Sequence, residues 1–150
     1  MLKNIDPLLT PELLQVLRAM GHGDELVLAD ANFPAASMAK RLIRLDGVDL
    51  IEAGRAVLSV FPLDGFVDTP VYRMEVIGQP DEIPPVQQEF QQITDQAAGR
   101  SVKIAGLERF AFYERARQAY AVVLTGERRG YGNAVLVKGV IGPDGEVVWL

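Results

Sequence analysis

Residues 25–30 read Glu-Leu-Val-Leu-Ala-Asp, and this short stretch decides the fold. Leu26 to Ala29 are apolar without alternation, the mark of a strand covered on both faces. Such a strand needs helices above and below it, and the flanking sequence supplies them. Upstream, Thr10-Pro11-Glu12 offers a hydroxyl N-cap, a proline at the first helical position and an acid in the first turn. Leu13, Leu14, Leu17 and Met20 follow at helical spacing, and Gly21 is expected to stop the helix.

Downstream, Arg41 to Leu45 predicts a short strand closed by the Asp46-Gly47 turn. Residues 49–60 suit an amphipathic helix with Leu50, Ile51, Val57 and Leu58 on its apolar side, stopped by Pro62. Val71 to Ile77 reads as a strand, Pro85 to Ala98 as a Gln-rich helix wetted on one side, and Val102 to Ile104 as a short strand. Arg109 to Ala119 predicts a helix with Phe110 and Tyr113 turned inward. Tyr120 to Leu124 and Ala134 to Val137 are apolar strands on either side of a glycine-punctuated loop at 126–133. Pro143-Asp144-Gly145 would close a terminal hairpin with Val147, Val148 and Trp149. Helices alternating with apolar strands, without repeat or linker, define one α/β domain over residues 1–150, with helices on both faces of a sheet.

The composition narrows the function. A chain of 150 residues, 49% hydrophobic and 23% charged, is globular. Its net charge of −5, with bases scattered among acids, argues against nucleic acid or an anionic membrane as partner. A chain without Cys is most simply read as cytoplasmic; no apolar run reaches membrane-spanning length and the N-terminus lacks a signal-peptide core. The absence of Cys removes disulfides, zinc ribbons and thiol catalysis. A single His cannot complete a zinc shell, so no metal site is expected.

Chemistry concentrates in a few places. His22, between Gly21 and Gly23, is the one side chain whose ordinary pKa lies near neutrality. It is either a proton-transfer group or a polar loop residue. Asp30 stands where the buried strand enters a loop, the place where α/β folds assemble ligand sites; a turn or N-cap role explains it equally well. Arg109 opens its helix and is the residue there least explained by packing; its donor fork could bind hydroxyls. Tyr131-Gly132-Asn133 is either turn chemistry or a sugar reader with donors, acceptors and an apolar face. The loop before it matches no phosphate-cradling motif.

In their order these stretches resemble one family, the L-fucose mutarotases and D-ribose pyranases, from Leu2 to about Gly139. The similarity is carried by T-P-E-L-L (Thr10 to Leu14), M-G-H-G-D-E (Met20 to Glu25), A-D-A-N-F-P (Ala29 to Pro34) and I-R-L-D-G (Ile43 to Gly47). It continues in R-F-A-F-Y-E-R-A (Arg109 to Ala116), T-G-E-R (Thr125 to Arg128) and Y-G-N (Tyr131 to Asn133). The later blocks look more like the fucose branch than the ribose branch. The resemblance implies a three-layer α/β/α domain with a mixed sheet and a cofactor-free carbohydrate isomerase acting on L-fucose. It makes His22 the general acid/base, with Asp30, Arg109, Tyr131, Gly132 and Asn133 binding the sugar. It also implies a ring-shaped homo-oligomer, commonly a decamer. Ribose pyranase activity and non-catalytic sugar binding on the same scaffold are the alternatives. Many fucose-type members carry histidines in the loop where this chain has Asn32 and Ala36, which bears on sugar preference.

The spacing raises a geometric question. Eight strand-like steps separate His22 from Asp30, up to roughly 26 Å. Either the glycines fold the His22 loop back along the strand, or two subunits share the site; the second is the expectation.

Overall fold

The computed structural model describes residues 1–150. In chain order its elements are α1 (Pro11–Ala19), β1 (Glu25–Ala29), α2 (Ala35–Met38), β2 (Leu42–Leu45), α3 (Leu50–Leu58) and β3 (Val71–Met74). They continue with α4 (Pro85–Ala98), β4 (Ile104–Leu107), α5 (Arg109–Gln118), β5 (Ala121–Thr125) and β6 (Ala134–Val137). The strands form one six-stranded sheet in the order β2-β5-β1-β6-β3-β4. Only β6 runs against its neighbours, β1 and β3; the remaining pairs are parallel. The sheet is therefore mixed, and the carboxyl ends of five strands share one edge with the amino end of β6.

β1 lies inside the sheet, as its unalternating sequence requires. Leu26 and Leu28 pack with Leu13, Leu17, Val57 and Phe90 of α1, α3 and α4. Val27 and Ala29 point the other way, onto Phe112 and Ala116 of α5 and Ala35 of α2. Each fully buried Leu or Val side chain contributes about 1.5–3 kcal/mol. The result is an α/β/α sandwich. Thr10 Oγ1 accepts from the Leu13 amide at 3.2 Å and Asp49 Oδ1 from the Glu52 amide at 2.8 Å, which starts α1 and α3. Gly99, at φ 66°, caps α4 in the left-handed region.

Several local expectations change. Helix α1 stops at Met20, which is extended, and the left-handed glycine is Gly23 (φ 85°), not Gly21. Strand β3 ends at Met74, three residues earlier than predicted. β4 runs over Ile104–Leu107, because the Val102 amide is taken by Asp95 Oδ1 at 2.8 Å. Gly106 lies inside this strand, where a Cβ would meet the Glu75 side chain at 2.8 Å. The terminal segment turns as expected but makes isolated bridges, Ile141 with Val147 and Trp149 with Gly65, instead of a regular hairpin.

The largest correction concerns α5. Phe110 is 64% exposed, whereas Phe112 is fully buried and Tyr113 half-buried. The helix is docked by Arg115, whose guanidinium grips the Glu25 carboxylate of β1 at 2.6–3.1 Å and lies 3.9 Å above the Tyr72 ring. That contact turns Phe112 and Ala116 inward.

Candidate active site

His22 sits at the apex of a tight turn. The Asp24 amide donates to the Gly21 carbonyl at 3.1 Å, and Asp24 Oδ2 accepts from the Gly21 amide at 2.7 Å. Gly23 at φ 85° in the third position makes this a type II turn, which explains that glycine by backbone conformation. The turn is stitched to the end of β6: the Gly23 amide donates to the Lys138 carbonyl at 2.8 Å, and the Lys138 amide to the Asp24 carbonyl at 2.9 Å. The Lys138 ammonium in turn caps α1 through the carbonyls of Leu17 and Met20, at 2.7 and 2.5 Å.

The imidazole is held on one side only. Its Nε2 lies 3.1 Å from Asp64 Oδ1, with the His side chain 46% exposed and the Asp side chain 3% exposed. Asp64 Oδ1 also accepts from the Phe66 amide at 3.0 Å, and the Phe66 ring leans on the imidazole at 5.0 Å between centroids. An ionised carboxylate only accepts, so Nε2 carries the hydrogen of this pair and Nδ1 is left as the acceptor. Sequence reasoning missed Asp64 and Phe66. Nothing local ties Asp64 to a residue 42 positions away.

The remaining predicted residues gather at the opposite, carboxyl edge. Asp30 and Asn133 are both 5% exposed and bonded to each other; Asp30 Oδ1 also accepts from the Asn32 amide at 3.0 Å. Burial pushes the Asp30 carboxyl above its usual value, against the opposing N–H groups of Asn32, Asn133, Gly132 and Phe33. Tyr131 adopts φ 62°, a conformation unusual for a residue with a side chain, and its hydroxyl accepts from the Ile77 amide at 3.3 Å. Buried Gln87, a second residue the sequence did not single out, holds this turn by donating to the carbonyls of Tyr131 and Met74 at 3.0 and 2.7 Å. Gly132 is needed because a Cβ would lie 2.9 Å from the Glu127 side chain. The Arg109 guanidinium stacks over Phe110 at 4.5 Å and Tyr113 at 5.9 Å, and Tyr113 touches Phe33 of the Asp30 loop at 5.5 Å.

The Thr125-Gly126-Glu127-Arg128 block is structural. Thr125 Oγ1 donates to the Ala29 carbonyl at 2.8 Å, and the Glu127 carbonyl accepts from the Ala31 amide at 2.8 Å. Burial alone would raise the Glu127 carboxyl, yet hydrogen bonds from Arg129 and the Leu50 amide take it below its usual value. The loop carrying Tyr131 to Asn133 is thereby tied to the loop carrying Asp30.

Within one chain the site does not converge. Asp30, Arg109, Tyr131, Gly132 and Asn133 share the carboxyl edge, and His22 is at the far end of β1, whose five residues alone span roughly 16 Å. The Gly21–Asp24 turn does not fold back along the strand; its bonds run to Lys138. A cavity of about 330 Å³ between α4 and the sheet is lined by Asn133, Gln87 and Arg73, and His22 and Asp30 are not among its walls. No group of three or more His, Asp and Glu side chains is arranged to hold a metal ion.

The chain is thus an α/β/α sandwich with a lone, carboxylate-held histidine at one sheet edge and a buried Asp–Asn pair at the other. Residues 3–141 match the RbsD / FucU transport protein family, and the chain belongs to that family. The L-fucose mutarotase of Histophilus somni (strain 2336) is 44% identical over 140 residues, which cover 93% of this chain and 97% of that protein. The fucose mutarotase of Streptococcus pneumoniae, solved in complex with L-fucose, superimposes with a TM-score of 0.88 at 44% identity, covering 94% of this chain and all (100%) of that one. Bacillus subtilis RbsD, solved with D-ribose, shares the fold at a TM-score of 0.71 and 23% identity, over 95% of this chain and 100% of its own. No helix of this chain is long and apolar enough to cross a membrane.

Proposed function

We propose that this chain interconverts the α and β anomers of L-fucose by acid/base-assisted ring opening. The observation that carries this reading is the half-exposed His22 imidazole, held through Nε2 by a buried carboxylate with Nδ1 left to exchange protons. Similarity to curated L-fucose mutarotases and to the fucose-bound structure supports the choice of sugar.

The chemistry asks for little. Opening removes the proton of the anomeric hydroxyl and delivers one to the ring oxygen, as the bond from C1 to the ring oxygen breaks and C1 becomes an aldehyde carbon. Rotation about C1–C2 presents the other carbonyl face, and the reverse proton transfers close the ring. An imidazole can take the first proton at Nδ1 and return it to the ring oxygen, while the Asp64 carboxylate holds the ring through Nε2. No electrons are exchanged and no cofactor is called for.

On this reading Arg109 and Tyr131 meet the sugar hydroxyls, Asp30 accepts from one of them, Gly132 lets the chain pass close, and Asn133 holds Asp30 in place. Because these residues and His22 lie at opposite sheet edges, a neighbouring copy supplies one side of each site. A ring-shaped homo-oligomer, of ten copies as the family resemblance implies, satisfies that need with a single-domain, cytoplasmic chain of 150 residues. Saturation-transfer NMR on α- and β-L-fucose tests the proposal. Enhanced anomer exchange supports it, while binding without exchange would make the protein a sugar receptor.

A further inference from the structure

Residues 140–150 follow the last strand, and the proposed chemistry does not use them. They form a turn, with the Gly145 amide donating to the Gly142 carbonyl at 3.0 Å and the Val148 amide to the Val140 carbonyl at 2.9 Å. Beyond the turn the chain runs beside Gly65. Trp149 bridges Gly65 in parallel, and the Leu150 amide donates to the Gly65 carbonyl at 3.2 Å. The approach is close: a Cβ on Gly65 would strike the Val148 carbonyl and lie 2.7 Å from Trp149 Cα. Trp149 packs against the core cluster that contains Leu58, Phe61 and Leu63, and the Arg100 guanidinium covers its ring at 4.4 Å. On its other side the same loop is tied to the end of β6, through the Asp64 amide on the Val137 carbonyl (3.0 Å) and the Gly139 amide on the Pro62 carbonyl (2.8 Å). Asp64 and Phe66, the two residues that hold His22, flank Gly65 directly. The chain's one indole and one imidazole are thus joined through a single glycine.

We propose that the C-terminal segment is a positioning element of the His22 centre: Trp149, anchored on the core, fixes Gly65 and thereby keeps Asp64 and Phe66 against the imidazole. A loop pinned along one edge can slide, whereas one pinned along both cannot. A displacement of about 1 Å in a reacting group can cost about 10²-fold in rate. Trp149 acts only through Asp64 and Phe66 and touches no sugar. The proposal rests on the acid/base reading of His22.

Trp149→Ala, Trp149→Phe and Gly65→Ala in the full chain test it with two readouts. One is the anomer-exchange rate over a range of L-fucose concentrations; the other is the ¹⁵N spectrum of the single imidazole. Trp149→Ala should lower the saturated rate by about tenfold or more, leave the half-saturating concentration within about twofold, and shift the Nε2 resonance. Trp149→Phe, which keeps a ring on the core, should stay near the parent on both readouts. Gly65→Ala should follow Trp149→Ala, and it decides the matter if the latter fails to fold. A folded Trp149→Ala or Gly65→Ala protein with the parent rate and an unmoved resonance overturns the proposal. His22→Ala run in parallel separates the two claims: undiminished exchange there ends the acid/base reading, while the imidazole resonance of Trp149→Ala still shows whether the segment holds the ring.

Discussion

Asp30 and Asn133 are locked to each other by two hydrogen bonds, the Asp30 amide to Asn133 Oδ1 at 2.8 Å and Asn133 Nδ2 to Asp30 Oδ2 at 2.9 Å. The Asn133 amide group faces Met74 Sδ at 3.8 Å as well, so its polar atoms are occupied inside the chain. Asn133→Ala should strand both the Asp30 amide and one carboxylate oxygen. A stability loss of about 1–3 kcal/mol is expected, together with weaker L-fucose binding, checked by denaturant unfolding and by titration calorimetry.

The same pair predicts a pH dependence. Burial raises the Asp30 carboxyl, so the folded state holds that proton more tightly than the unfolded chain. This favours folding below the unfolded value of about 3.9 and is lost as pH rises through the folded value. Thermal melts of the parent and Asp30→Asn should show the parent losing ground as pH rises from the unfolded value of about 3.9 through the folded value. A difference that stays constant over that range would contradict the burial argument.

His22→Ala should slow L-fucose anomer exchange by about 10²- to 10⁴-fold while the protein melts as a folded chain. Saturation-transfer NMR gives the rate directly. D-Ribose measured alongside should exchange more slowly than L-fucose with the parent protein; the reverse ranking would place the chain with the ribose pyranases.

Sharing of the site between copies has its own test. His22→Ala and Arg109→Ala proteins, each inactive alone, should regain exchange activity when mixed, dissociated and reassembled. Recovery is expected because the two residues lie at opposite edges of one sheet. Mixtures that stay inactive would place both groups on one copy.

Phe110 and Phe112 form an internal control for the fold. Phe112→Ala empties a fully buried position and should cost about 3–5 kcal/mol. Phe110→Ala, on an exposed ring, should stay within about 0.5 kcal/mol, although loss of its stack on Arg109 should weaken sugar binding. Chemical unfolding of the two variants makes the comparison.

The sequence by itself determined what short windows encode. The unbroken apolar run at 26–29 requires a doubly covered strand, Thr10-Pro11 starts a helix, and Pro85 to Ala98 and Ala134 to Val137 are bounded as predicted. It also singled out His22, because ordinary pKa values are a property of residue type. Helix α5 was not legible in this way. Its charges and aromatics encircle the axis, so no stripe marks the inner face, and the long-range grip of Arg115 on Glu25 chose Phe112 over Phe110. The partnership of His22 with Asp64 was equally invisible, since it joins segments 42 residues apart that meet only beside the end of β6. Which edge of the sheet each candidate occupies depends on strand order and direction. Those are set by the packing of the whole chain, and no local pattern carries them.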